Sequence, residues 1–459
     1  MLAVVALGAV ARPAPGPALK ARLDSDVDLI GIVHWGLNTY TDREWGFGDE
    51  SPAMLNPANF DADAIVAACK AGGLKGLVVV AKHHDGFCLW PTKTTRHNIS
   101  KSPFRGGKGD YVREMSDACA KAGLKFGVYV SPWDRNNAGY GTPEYVKTYH
   151  AQIKELLSGE YGEVFEMWFD GANGGDGWYG GAKERRVIPN GYYRFDEVFE
   201  FVRAMQPGVC IFAGESDKSD FRWPGNERGE LAPDSRATIC DVGGFSAGEY
   251  GNPDYAYQIN TGMPGGTRFR VCEADFPLRK GWFYHAADRG RTKPAAYLLK
   301  CYLRTVGNGG TMNVGIAPDK DGRMDPEDVK ALEGFSTLRN AFFAHEVSEP
   351  GRPFNVVVLS EDISKGEQVD HWKLVVDGDV SIVSGRAIGR RRIRVLAKPV
   401  APKDVDLRVT ASGPDLGRVT MKRYFADPEL VSLVNGASTD SGETDTAKWM
   451  TGAAKEAGR

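Results

Sequence analysis

The sequence predicts a (β/α)8-like TIM barrel followed by a smaller antiparallel β-sandwich, and three observations carry that expectation. Short apolar runs alternate with amphipathic helical stretches between about residues 24 and 345. Those runs are near-continuously apolar, as parallel strands covered on both faces by helices are. From about residue 350 the texture changes to short alternating runs separated by Gly, Pro and Asp, the pattern of an antiparallel sandwich. The expected division is an N-terminal segment 1–23, a barrel 24–345, a sandwich 346–435 and a polar tail 436–459.

Each element follows in order. The opening MLAVVALGAVA has an apolar core and an Ala-x-Ala-like end at Ala9–Ala11 but no positive n-region, so 1–23 reads as the remnant of a secretory signal. That implies an exported, periplasmic or extracellular, protein. The segments DLIGIVHWG (28–36), GLKGLVVVAKHHDG (73–86), GLKFGVYVSPWD (123–134) and GEVFEMWFDG (162–171) share one plan: apolar at the start, aromatic or ionisable at the end. GVCIFAGES (208–216), TRFRVCEADF (267–276) and GTMNVGIAPD (310–319) follow it less cleanly. Between them, Ile65, Ala68 and Cys69 share a helix face, as do Val112, Met115, Cys119 and Ala122. A third helix starts at Thr142-Pro143, with Val146, Tyr149, Ile153 and Leu157 as its apolar stripe. Seven or eight such units favour closure into a barrel, whose reactive groups sit at the C-terminal strand ends.

The composition excludes several classes. A net charge of −3 over 459 residues gives no electrostatic reason for a nucleic-acid or membrane-surface partner. The one dense basic run, GRRRIRV at 389–395, reads as a solvated strand. The seven cysteines are scattered without a CxxC, so neither a zinc site nor a disulfide framework is indicated. No apolar run reaches the roughly 20 residues of a membrane span. No metal or other cofactor is expected, and oligomeric state is left open.

The run VFEMWF leads straight to Asp170 and then breaks into glycines. A buried strand is a poor place for an unpaired charge, so Asp170 is expected at a strand end opening onto a cleft. Other strand ends offer His34, Trp35, Glu44, Trp45, His83, His84, Trp90, Tyr129, Trp133, Asp134 and Trp168. The loop after the fifth strand adds Arg222, Trp223 and Glu227; the later segment adds Glu273, Trp282 and His285. Aromatic faces stack on sugar rings, imidazoles and carboxylates bond hydroxyls, and a carboxylate pair is what glycosidic cleavage needs. The residues alone point to a carbohydrate-active barrel.

Eight blocks, VHWGLNTY, REWGF, KHHDGFCLWPTKTT, VYVSPWD, EMWFDGANG, RWPGNE, EADFPLRKGWFYH and NVGIAPDKDGRM, together resemble the family 29 glycoside hydrolases, the α-L-fucosidases. They keep the family's order through about 28–325. The resemblance implies removal of terminal α-linked L-fucose from a fucosylated glycan with retention of configuration, through a covalent fucosyl-aspartate at Asp170. It implies Glu227 as general acid/base, with Glu215 and Glu273 as rivals, and a subgroup preferring α-1,3/1,4 linkages. It further implies that His34, Glu44, Trp45, His83, His84 and Tyr129 hold the sugar and that Trp282 packs on its methyl group; Trp168 and Arg222 complete the expected substrate-binding set. The inserted GGDGWYGGAKERRV departs from the pattern and is expected to reshape the cleft. Two other classes compete: a metal-dependent barrel hydrolase using His34, His83, His84 and Asp170, and a sugar-binding barrel without catalysis.

Overall fold

Eight parallel strands close into a barrel in the computed structural model, which describes residues 2–6, 12–213, 218–239 and 258–438. They are β1 Leu29–Val33, β2 Gly76–Lys82, β3 Lys125–Val130, β4 Val164–Phe169, β5 Cys210–Ala213, β6 Phe221–Arg222, β7 Val271–Pro277 and β8 Thr311–Ile316. Closure comes from β7, which pairs in parallel with both β6 and β8. β6 corrects the sequence expectation, which put Phe221 and Arg222 in the loop after the fifth strand. Two residues carry no periodicity, and no helix-length segment separates them from β5 to announce a new unit.

Side chains alternate between the inside of the barrel and the helical layer, as the period of a strand requires. Ile30, Ile32, Val78, Val80, Tyr129, Trp168, Phe212, Phe221 and Val271 form one cluster inside. Leu29, Val33, Leu77, Val79, Val128, Met167, Phe169, Met312 and Val314 form the larger one beneath the helices. Continuing the inward parity gives His34 after β1, Asp170 after β4, Glu273 and Asp275 on β7, and Asn313 and Gly315 on β8.

The helices are bounded by local chemistry. Asp61 and Asp110 cap α-helices Ala62–Ala71 and Tyr111–Ala122, accepting from Ala64 N at 2.9 Å and Arg113 N at 3.0 Å. Helix Pro143–Leu156 starts after Thr142 with Pro at its first turn, where the missing N–H costs nothing. Helix Pro17–Asp24 closes the floor: Leu19 and Leu23 join the inner cluster, and Arg22 reaches Glu166 and, at 3.2 Å, Glu273. Residues from Pro17 onward are therefore built into the barrel rather than into a leader remnant running to 23. Leu2–Ala6 adds a strand parallel to Val405–Ala411 of the C-terminal sheet, and Ala9–Ala11 lie outside the described residues.

The last barrel helix is Pro326–Phe342, and the next strand starts at Phe354. Beyond it, a sheet containing β-strands Val369–Val376, Val380–Gly385 and Val405–Ala411 faces a second one of Phe354–Glu361, Arg392–Val400 and Val419–Tyr424. Phe354, Val357, Leu359, Trp372, Leu374, Leu407 and Val409 fill the space between. The basic run is not solvated, a second correction. Arg390 and Arg391 each bond Asp28 Oδ2, at 2.7 and 2.8 Å, and buried Arg392 bonds Asn308 O at 2.7 Å, riveting the sandwich to the barrel. Helix Pro428–Gly436 then returns to the barrel, where Lys300 Nζ donates to Asn435 O and Ala437 O. The remainder of the expected tail, 439–459, lies outside the described residues. No described helix is long and apolar enough to cross a membrane.

Candidate active site

The inward-facing residues stack in layers along the barrel axis. At the floor, Glu273 is fully buried and accepts from Trp168 Nε1 at 3.2 Å, Asn313 Nδ2 at 3.0 Å and Arg22 Nη2 at 3.2 Å. Those partners hold it below the mouth. Trp168 lies on this layer, stacked 4.0 Å from Phe212 and 5.3 Å from Tyr129. It is a platform under the site rather than part of its rim. The other rival, Glu215, lies outside the described residues.

Above the floor, Asp170 sits half-buried at the end of β4. Its Oδ1 accepts from Ala172 N at 2.6 Å and its Oδ2 from Tyr129 OH at 2.9 Å, so both oxygens are held. Burial and the Asp170 charge raise the Tyr129 pKa well above its ordinary value, keeping it a donor.

His83 and His84 follow β2, where the pairing slips between Val80 and Lys82. On a regular strand they would point apart; here the rings lie 4.1 Å from one another. Asn38 Nδ2 meets His83 Nδ1 at 3.1 Å, which assigns the ring proton of His83 to Nε2. His84 Nδ1 lies 2.7 Å from Ser131 Oγ, whose hydroxyl donates to Trp133 O at 3.0 Å, so His84 donates from Nδ1 and keeps a lone pair on Nε2. Burial lowers the pKa of all three mouth histidines: His83 well below its ordinary value, His84 to about 4 and His34 to about 3. The neutral pair thus offers one N–H donor and one nitrogen acceptor, suited to hydroxyl groups. Trp45 crosses His84 and Trp133 edge-on at 5.3 and 5.6 Å.

Glu44 organises the opposite wall. Its carboxylate accepts from the backbone N–H of Trp282 at 2.8 Å, that of Phe283 at 3.2 Å and His285 Nε2 at 2.6 Å. Glu44 and Asp42 raise the His285 pKa to about 9, making it a cation at neutral pH. A methyl group on Gly281 would stand 2.1 Å from Glu44 Oε1, so only glycine lets the loop approach so closely. The Trp282 indole lies 5.0 Å from His34 and over Gly315 of β8, where a Cβ would come within 2.8 Å of the ring.

Glu227 follows β6 and is half-buried. Its pKa is raised well above the ordinary value by burial and by the charges of Asp275 and Asp170, with Glu44 adding to them and the Trp282 side chain opposing them. Arg222 does not join the mouth. It lies on the outward face of β6, fully buried, with its guanidinium donating to Ile259 O at 2.9 Å, Arg236 O at 2.6 Å and Arg270 O. The missed strand explains the error, since parity puts Phe221 inside and Arg222 outside.

The inserted segment after Asp170 forms a hairpin of Gly175–Gly177 with Glu184–Arg186. It is fastened by Arg135, whose Nε donates to Asp176 O and Nη1 to Gly46 O, each at 2.6 Å. Asp275, Asn38, Ser131 and Phe283 were not singled out from the sequence. Asp275 was legible, because it follows Glu273 by two residues and so shares its inward face.

The family model described as alpha-L-fucosidase matches residues 24–339. Alpha-L-fucosidase 1 of Arabidopsis thaliana is 36% identical over 449 residues, covering 92% of this chain and 84% of that protein. A crystal structure of a glycoside hydrolase 29 family member from an unknown rumen bacterium aligns with a TM-score of 0.81 at 33% identity, over 91% of this chain and 78% of that one. A Ruminococcus gnavus family 29 fucosidase in complex with fucose shares the fold, with a TM-score of 0.76 at 23% identity, over 93% of this chain and 97% of that one.

Proposed function

We infer the reaction from one premise: this chain belongs to the α-L-fucosidase family and is a glycoside hydrolase. The reading is an exo-acting, retaining cleavage of terminal α-linked L-fucose with Asp170 as nucleophile and Glu227 as general acid/base. In the first step Asp170 attacks the anomeric carbon while the Glu227 proton passes to the departing glycosidic oxygen. In the second, ionised Glu227 takes a proton from water, whose oxygen displaces Asp170 and releases fucose. The single observation that supports this pairing is electrostatic: the charge of Asp170 is among those that raise Glu227. Once Asp170 is esterified that charge is gone, and Glu227 becomes easier to keep ionised, as its second task requires.

His34, His83, His84 and Trp45 would hold the sugar hydroxyls and ring, Glu44 would do so through its remaining lone pairs, and Trp282 would face the methyl group. The glycan is proposed to be α-1,3/1,4-linked, resting on the Arg222–Glu227 block; the Gly175–Arg186 hairpin would wall the side that receives the rest of the glycan. Export is proposed from the apolar N-terminal sequence alone, and fractionation of the producing cells tests it.

Product analysis of branched and linear fucosylated oligosaccharides tests the reaction, using wild type, Asp170→Ala and Glu227→Ala. Asp170→Ala should lose nearly all turnover. Glu227→Ala should regain turnover of an activated aryl fucoside when azide is added; absence of rescue would move the acid/base elsewhere.

A further inference from the structure

Asp275 is a buried carboxylate at the mouth that neither displacement step uses. It lies two residues beyond Glu273 on β7, on the same inward face but one layer nearer the opening. Its Oδ1 accepts from Trp223 Nε1 at 2.8 Å. Trp223 directly follows β6 and begins the five-residue turn, Trp223–Glu227, that delivers Glu227 to the site.

We propose that Asp275 is a positioning residue for the glycosidic proton: it fastens the Glu227 turn through Trp223 and, as an anion, keeps the proton on Glu227. This rests on Glu227 being the acid/base. The charged groups facing Glu227 are Asp275 from β7, Asp170 after β4 and Glu44 from the loop after β1. Those facing Asp275 are Glu227, Glu273 and Asp170. His285 stands behind Glu44, bonded to it. The Asp275 charge acts on Glu227 in a buried site already holding Asp170, so the pair does not ionise twice near neutrality and at least one proton stays on it. The Trp223 N–H bonds the charged form of Asp275 and thereby directs that proton to Glu227. Asp275 is itself raised to about 8, chiefly by burial, so it becomes the anion on the alkaline side of neutrality, where its charge delays the loss of the Glu227 proton.

The test is the pH dependence of kcat/KM on an aryl α-L-fucoside. Asp275→Asn keeps an acceptor for Trp223 but removes the charge, so the alkaline limb should move to lower pH by about one unit or more. Asp275→Glu keeps the charge and should leave the limb near that of wild type. An alkaline limb unmoved in a folded Asp275→Asn chain overturns the proposal. Should that chain not fold, Trp223→Phe decides: losing the donor moves the shared proton towards Asp275, so the neutral plateau falls several-fold while the limb stays or moves to higher pH. A full plateau in Trp223→Phe overturns the proposal as well. Glu227→Ala with azide, run alongside, separates the two readings. Rescue with an unmoved Asp275→Asn limb sinks only the role of Asp275, whereas absence of rescue sinks the assignment of Glu227.

Discussion

Replacing Glu44 by Gln keeps its shape and removes one charge and one acceptor from the wall that carries Trp282. The Glu44 oxygens receive two backbone N–H groups and the His285 ring. The least costly placement of the new amide puts its NH2 at the Oε1 position, where neutral His285 can accept from it. The Phe283 N–H is then left buried without a partner, a cost of about 1–3 kcal/mol. His285 also loses one of the two anions, Glu44 and Asp42, that together raise it from 6.5 to about 9; the Glu44 share is worth roughly 2 kcal/mol once partial exposure is allowed for. The total is about 3–5 kcal/mol below neutrality. Because the folded pKa of His285 lies above its unfolded value, the ionic part is present in full below about pH 6.5 and is lost as pH rises through about 9. Urea unfolding of wild type and Glu44→Gln at pH 6 and pH 10 should therefore give a gap that shrinks by about 2 kcal/mol at the higher pH. KM for an aryl α-L-fucoside should rise in parallel as Trp282 loosens. A gap that is the same at both pH values would refute the ionic account, and an unchanged KM would refute the link to Trp282.

Three further outcomes follow from the same geometry. Tyr129→Phe keeps the ring on Trp168 but removes a charge-assisted bond to Asp170, so kcat/KM should fall about 10- to 100-fold with little change in melting temperature; a change under about twofold would count against Asp170 as the reacting carboxylate. Arg222→Gln should cost about 3 kcal/mol of stability by stranding buried carbonyls while leaving KM near wild type; the opposite pattern would return Arg222 to the sugar site. Prolonged treatment with EDTA should leave turnover unchanged, and loss restored by a divalent metal would favour the metal-dependent alternative.

Much of this was legible because strand parity turns sequence position into direction. Once GEVFEMWFDG is a strand, Asp170 must share the inward face with Trp168, and His34 must share it with Ile30 and Ile32. The errors arose where a short or irregular element escapes periodicity. Phe221–Arg222 is too brief to alternate visibly, so Arg222 was turned towards the mouth when it faces away. The slip after Val80 brings His83 and His84 together, although adjacency on a regular strand separates them. GRRRIRV looked solvated because its acceptors lie far away in the chain, Asp28 by 362 residues and Asn308 by 84, where local pattern cannot see them.

The central claim is that Asp170 becomes covalently bonded to fucose. Incubation with a 2-fluoro-fucosyl donor whose second step is slow, followed by peptide mapping by mass spectrometry, tests it most directly. The account predicts one fucosyl adduct per chain, on the peptide carrying Asp170. A label on any other carboxylate, or an unlabelled chain that releases fucose of inverted configuration, would contradict it.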